Sequence, residues 1–355
     1  GIFNYRWNPK PTLNHSLDLF NVQYVRNINP GNYFNVYQNS FNRLENIALG
    51  TYNTPAEFIS TDSEGNDNLD KSKSDEFIDL VLQDNAFQDS NPNEYQTVNN
   101  IDERKNRLTE DNLILASNFS YVIDKRESLF DNNFSIFRAK LELAGNLLAN
   151  TSKLLGLNKN SDNRYEIFGV AYSQYVKTEL DYVKHWAIGR NNVIATRAYF
   201  GIAIPYGNSN SIPFSRSFFA GGPNDNRAWT AYNLGPGSSD SNNEFNESNL
   251  KLAFSIENRY NLFGNLNGAF FVDIGNIWNV LDNEDDPNAT FDGLSSLKDI
   301  AIGSGFGLRY DFGFFVLRGD IGFKTYDPSY REQDRWFKDF NFKNAVYNIG
   351  INYPF

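Results

Sequence analysis

The sequence predicts an all-β protein, an antiparallel transmembrane β-barrel with a long, partly helical extracellular insertion. Three observations predict it. Apolar and polar residues alternate with period two through the C-terminal half. The apolar face is rich in Phe and Tyr, many of them near strand ends, where barrels carry aromatic girdles. The connections also alternate between short and long, as in a barrel with tight turns on one side and larger loops on the other. A soluble sandwich has two-faced strands too, but no reason to sort its loops by length.

Eleven strands are expected, at 2–7, 14–27, 110–125, 132–147, 165–188, 193–205, 248–260, 266–277, 301–311, 314–326 and 343–355. Short links fall near Asn8–Leu13, Arg126–Asn132, Arg190–Asn192, Asn261–Asn265 and Asp311–Gly313. Long ones occupy 28–109, 148–164, 206–247, 278–300 and 327–342. The faces are plain in the last strands. Leu252, Phe254, Ile256 and Tyr260 oppose Lys251, Ser255, Glu257 and Arg259. Leu266, Phe270, Val272 and Ile274 oppose Asn267, Asp273 and Gly275. Phe315, Leu317, Ile321 and Phe323 oppose Arg318, Asp320, Gly322 and Lys324. In the last strand Ala345, Tyr347, Ile349, Ile351, Tyr353 and Phe355 oppose Asn348, Gly350 and Asn352.

Energetics assign the polar face to the lumen. A Lys or Arg facing lipid at mid-membrane costs about 2–4 kcal/mol. Four of them, Lys251, Arg259, Arg318 and Lys324, would cost about the whole 5–15 kcal/mol stability of a domain. A closed next-neighbour barrel takes an even number of strands. Eleven therefore implies strands before Gly1, and the missing initiator Met reads as a mature or truncated start.

Composition narrows the function classes. The formal net charge of -11 argues against nucleic acid as a partner. The chain has no cysteine, which excludes disulfides and thiolate metal sites. Mean hydropathy is -0.53, and no run approaches a membrane helix, which leaves a barrel open because its strand signal averages out. A hydrolase needs His with Ser or Asp in reach, and only His15 and His185 are available. No nucleophile–base constellation stands out, so the expectation is a non-enzyme with no catalytic residues, no cofactor and no metal. The acidic run Asp282–Asp286 has calcium-ligand chemistry, but the solvated-loop reading is preferred.

Residues 28–109 are too long for a plain loop. Ser74 is placed as the cap of a short helix with Asp75 and Glu76 in its first turn and Phe77, Leu80 and Val81 on one face. Residues 61–75, rich in Ser, Asp, Asn and Lys, are expected to be mobile. The segment reads as an extracellular insertion.

The most informative stretch lies in the long loop 206–247. It runs Phe218-Phe219-Ala220-Gly221-Gly222, then Asn226-Arg227-Ala228-Trp229, then Asn233-Leu234-Gly235-Pro236-Gly237. Two further features follow it: Glu257 with Arg259 on one strand, and Phe271-Val272-Asp273-Ile274-Gly275-Asn276-Ile277-Trp278 on the next. In this order, with five strands after the loop, the chain resembles the C-terminal barrel of the BamA/TamA outer-membrane assembly superfamily. The usual tetrad there is Val/Ile-Arg-Gly-Phe/Tyr, from which Asn226 and Ala228 depart. Arg227-Ala228-Trp229 with the later Leu-Gly-Pro-Gly looks like the TamL-type branch of Bacteroidetes.

The resemblance implies a sixteen-stranded barrel of the bacterial outer membrane, preceded by POTRA domains. It implies that the loop folds into the lumen and that Arg227 meets Glu257 and Asp273, which the alternation places on the lumen side. Structural anchoring is favoured over a direct part in gating. Asn348, Gly350, Tyr353 and Phe355 fit an outer-membrane β-signal, a segment recognised by strand addition. Pro354 cannot donate to the ladder and weakens the strand that closes the barrel.

The function so implied is protein assembly or translocation through a lateral seam. The expected partners are nascent outer-membrane clients, outer-membrane lipids and a TamB-like periplasmic protein. The alternative is a passive channel or uptake receptor whose lumen, lined by Arg197, Lys251, Arg259, Arg318 and Lys324, selects anions. A loop plugging the lumen argues against free conduction.

Overall fold

The period-two segments pair as one antiparallel sheet of eleven strands, each hydrogen-bonded to its neighbours in sequence. They are β1 (Ile2–Lys10), β2 (Leu13–Val25), β3 (Asn112–Asp124), β4 (Ser135–Ala144), β5 (Tyr175–Gly189), β6 (Asn192–Pro205), β7 (Leu250–Phe263), β8 (Leu266–Trp278), β9 (Ala301–Asp311), β10 (Val316–Tyr326) and β11 (Val346–Ile351). The structure is a computed structural model and describes residues 2–128, 131–160, 163–189, 191–239, 246–282 and 286–355. Among these residues β1 pairs only with β2 and β11 only with β10, so the sheet is open.

Register decides which residues share a face, because directly paired side chains point the same way. Glu257 lies opposite Phe271, Asp273 opposite Gly303, Gly303 opposite Lys324, and Asp320 opposite Asn348. Arg197 lies opposite Ser255 on the same face. This inner face thus carries the charges and most of the strand glycines. The outer face carries exposed apolar side chains such as Phe254, Phe270, Phe306 and Ile349. The interior core is built where the 206–249 loop meets the inner face, from Phe218, Ala220, Ala228, Trp229 and Leu234 against Tyr175, Ala203, Ile277 and Ala301.

Two strand expectations are corrected. The last strand spans only Val346–Ile351, not 343–355. Its ladder ends at Asn352, whose N–H donates to the Val316 carbonyl at 2.6 Å and whose φ of 65° turns the chain out of the sheet. Asn tolerates that left-handed conformation better than most residues. The fifth strand begins at Tyr175 rather than 165. Ahead of it, Glu166–Ile167 and Val170–Ala171 form a separate hairpin turned by Phe168 and Gly169, both at positive φ. The connection after β4 also opens with a helix, Asn146–Leu154.

Residues Val25–Asp111 form a compact unit of their own. Its helices include Gln38–Gly50, Ser74–Leu82, Asn85–Ser90 and Pro92–Thr109. Leu44, Phe77, Val81 and Val98 are fully buried at its centre, with Phe41, Phe58 and Ile101 around them. Local rules set the ends. Asp84 accepts from the Phe87 N–H at 3.0 Å as an N-cap, and Pro92 opens the longest helix, where its missing N–H costs no hydrogen bond. Ser74 is not a cap as expected. Lys73 holds that position, while Asp70 caps the preceding 3-10 turn through Ser72. Within 61–75, Ile59–Thr61 pairs with Asp67–Leu69 in a hairpin closed by hydrogen bonds from the Glu64 and Asn66 N–H groups to Asp62.

This unit has a core separate from the sheet. Phe77→Ala should therefore cost it about 3–5 kcal/mol. Limited proteolysis should show new cleavage within 25–111 while β3–β11 stay protected. Loss of protection throughout the chain would contradict independent cores.

Candidate functional site at the arginine loop

The loop after β6 turns back on itself before it reaches Arg227. Gly221 and Gly222 have φ of 90° and 101°, a region that favours glycine. A Cβ on Gly221 would also overlap the Thr230 carbonyl. Gly222 donates to the Trp229 carbonyl at 2.8 Å, and Gly221 donates to Asp225 at 2.8 Å. The hairpin so closed presents Arg227 to the sheet, with Trp229 packed 2% exposed beside it.

Arg227 is 1% exposed and uses its whole donor fork. Nε and Nη2 donate to the two oxygens of Asp273 at 2.8 and 2.9 Å, a bidentate pair. Nη1 donates to Glu257 at 2.5 Å, and the backbone N–H of Arg227 adds a third bond to Asp273 at 3.1 Å. The guanidinium carbon lies 3.5 Å from the centre of the Phe271 ring, a cation–π stack. The structure thus brings together Arg227, Glu257 and Asp273.

The cluster is larger than those three. Arg309 on β9 bonds Glu257 at 3.0 Å and pairs with Asp320 at 2.6 Å. Arg318 bonds Asp320 at 2.9 Å, and Arg259 bonds Glu257 at 2.7 Å. Asp320 also stands 3.8 Å from Arg227. Four guanidinium groups therefore share three carboxylates in a buried site. The surplus cation finds other partners. Arg259 stacks 4.2 Å from the Tyr353 ring and donates to the Phe355 carbonyl at 3.2 Å. Arg318 donates to the Asn224 side chain in the loop.

Glycines on the inner face make room for this loop. A Cβ on Gly322 would overlap the Arg227 carbonyl, and one on Gly303 would strike Asn226 and Ala228. Asn226 and Ala228 fit into this space. The Ala228 methyl occupies space that Gly303 leaves empty. The Asn226 amide bonds the Asp273 carbonyl at 3.4 Å and accepts from the Ala228 N–H at 3.3 Å.

Every strand from β5 to β11 touches the loop. Lys177 donates to Arg216 at 2.8 Å, Arg197 to Asn224 at 3.3 Å, and Lys251 to Phe219 at 2.7 Å, all at backbone carbonyls. Asn276 donates to the Gly237 carbonyl at 2.8 Å. On β11, Asn348 donates to the Arg227 carbonyl at 2.9 Å, and Gly350 leaves the space that Arg318 fills. Tyr353 and Phe355 are not strand residues. They lie beyond the sheet, over Arg259.

Sequence reasoning missed Arg309, the third acid's link to Arg227, and the Asn348 contact. Arg309 could have been found, since it stands in register with Arg318 on the polar face. The two histidines lie apart in ring contacts, His15 stacked on Trp7 and His185 tilted against Phe134. The acidic run 282–286 falls mostly on residues 283–285, outside the described residues.

Comparison with known proteins shows the family. The profile of the Omp85 superfamily domain matches residues 6–343. The chain belongs to the Omp85 superfamily. Among solved structures it is similar to BamA from Haemophilus ducreyi lacking POTRA domains 1–3, with TM-score 0.51 and 12% identity. That match covers 98% of this chain and 52% of the BamA chain, so the sequence spans about half the length of that structure. It is also similar to CdiB from Acinetobacter baumannii, with 15% identity, TM-score 0.38, and coverage of 67% of this chain and 33% of the other. The curated proteins give no match. As an Omp85 protein the chain is an outer-membrane β-barrel protein, and its sheet is of the barrel type. Members of this superfamily are outer-membrane assembly and translocation proteins that handle outer-membrane clients.

A double-mutant cycle tests the cluster of this Omp85 barrel. Arg227→Ala and Asp273→Ala should each cost about 3–5 kcal/mol, because each strands a buried charge. The double mutant should cost far less than their sum. Urea unfolding followed by heat-modifiable gel mobility reads this out, and additive losses would contradict the pairing.

Proposed function

We propose that this barrel is an assembly or translocation factor of the outer membrane that admits client strands at a lateral seam beside β11. The observation that carries the reading is the grip of one inner loop on seven consecutive strands, β5 to β11. A loop so bound obstructs a free aqueous path, which disfavours the passive channel or uptake receptor. β11, paired over six residues only, is the shortest strand of the sheet. An unpaired strand edge is a template for another chain, and binding there draws on main-chain hydrogen bonds rather than on client sequence.

In this reading Gly221, Gly222, Arg227 and Trp229 form the lumen-inserted motif, and Glu257 and Asp273 are its anchors. Asn348 and Gly350 belong to the seam and fit the loop on their inner side. Tyr353 and Phe355 form a tail at the end of the seam, against Arg259. The unit 25–111 is an extracellular insertion. We assign the chain to the TamL-type branch of Bacteroidetes on Arg227-Ala228-Trp229 followed by Leu234-Gly235-Pro236-Gly237. The partners are then nascent barrel clients, outer-membrane lipids and a TamB-like periplasmic protein, with POTRA domains completing the full-length protein.

The test uses the full-length protein in lipid vesicles with an unfolded barrel protein as client. Insertion of the client should be faster than into empty vesicles. A disulfide joining β11 to the strand it meets across the seam should abolish the gain, and reduction should restore it. Full insertion by a verified locked protein would overturn the seam. Large steady ion currents with no acceleration would assign a channel instead.

A further inference from the structure

The outer face of the sheet carries a feature that the assembly reading does not use. Phe270 on β8, Phe306 on β9 and Phe323 on β10 stand near mid-strand on the outward side. The loop between β10 and β11 returns over them. Phe340 stacks on Phe323 at 5.0 Å between centroids, and Phe342 meets Phe323 edge-on at 5.2 Å. These five rings line an open groove of about 460 Å³.

The loop is held in that position by its base. Asp327 donates to the Arg335 carbonyl and Phe337 to the Thr325 carbonyl, both at 2.9 Å, so the chain runs antiparallel to the end of β10. The Arg335 guanidinium pairs with Asp299 at 2.9 Å and donates to the Tyr330 carbonyl at 3.0 Å. Trp336 packs edge-on against Tyr326 at 4.9 Å. Phe337 then takes φ 55°, uncommon for a bulky residue, which turns 340–342 back onto the outer face. A backbone cost at this position fits a loop whose placement serves a purpose.

The chemistry of the lining selects the occupant. The side-chain hydroxyl in the groove, Ser304, is already engaged with Thr325 at 2.7 Å. Asn341 supplies the one side-chain amide in the lining. A polar ligand would lose its hydrogen bonds to water on entry and regain few of them. The groove is continuous with the apolar face that a membrane barrel turns to hydrocarbon. We propose that it binds one acyl chain of a membrane diacyl lipid, seated between the β8–β10 wall and the returning loop. The proposal stands on the barrel fold and does not depend on the assembly reading.

The test is to refold the full-length protein into dioleoylphosphatidylcholine vesicles holding a trace of phosphatidylcholine with a diazirine in its acyl chain. After irradiation, adducts are mapped by peptide mass spectrometry. They should concentrate at 304–306 and 336–343, several-fold above the outward residues of β7. Phe340→Ala with Phe342→Ala removes the loop wall without touching strand pairing. It should lower adducts at 304–306 several-fold while heat-modifiable mobility stays unchanged. An even spread of adducts over the outer face, or no response to the double substitution, would reduce the groove to ordinary boundary lipid and overturn the proposal. Displacement by free oleate, but not by extra unlabelled phospholipid, would assign a fatty acid and overturn it as well.

Discussion

The structure depends on one buried interaction, the Arg227 fork between Asp273 and Glu257. Each group alone would be costly to remove from water, and the arrangement holds because every charge meets an opposite charge at hydrogen-bond distance. The fork geometry matters, since a planar guanidinium engages one carboxylate with two parallel bonds while still reaching a second. Around this pair, Arg259, Arg309, Arg318 and Asp320 extend the cluster to β9 and β10. Replacing the whole set with apolar side chains need not destabilise the sheet; breaking one member does. The cluster is better understood as fixing where the loop sits than as adding to stability.

That position links two features otherwise far apart in sequence. The carbonyl of Arg227 accepts from Asn348, so the same residue that anchors the loop on β7 and β8 also meets the last strand. Gly350 on the same strand yields space to Arg318, which bonds the loop at Asn224. The polar residue and the glycine of the β11 motif thus have a structural use inside this chain, whatever else recognises them. β11 has few ladder bonds of its own, which makes these inner contacts a large share of what holds it.

Much of the sheet was legible in the sequence because strand side chains alternate with period two and one face cannot tolerate charge. Glu257, Asp273, Arg318 and Lys324 could be assigned to one side on that ground alone. Arg309 follows the same rule, but lies in a glycine-rich strand, Gly303-Ser304-Gly305-Phe306-Gly307, whose alternation is faint to hydropathy. The role of those glycines is visible only when the loop backbone is seen against Gly303 and Gly322. The end of β11 was misread because the apolar alternation continues through Tyr353 and Phe355, while the backbone leaves the sheet at Asn352. The core of the Val25–Asp111 unit is not legible in the sequence because its helices are rich in Asn and Asp, and it becomes coherent only when Leu44, Phe77 and Val98 meet in space.

The Arg227 cluster holds the last strand through the loop. Hydrogen–deuterium exchange in an Arg227→Lys protein tests it most directly, because lysine keeps the charge and loses the fork. Exchange should become faster at the amides of Val346–Ile351 and around Trp229, with β3 and β4 unchanged. Unaltered protection of Val346–Ile351, in a protein whose loop amides have become exposed, would contradict it.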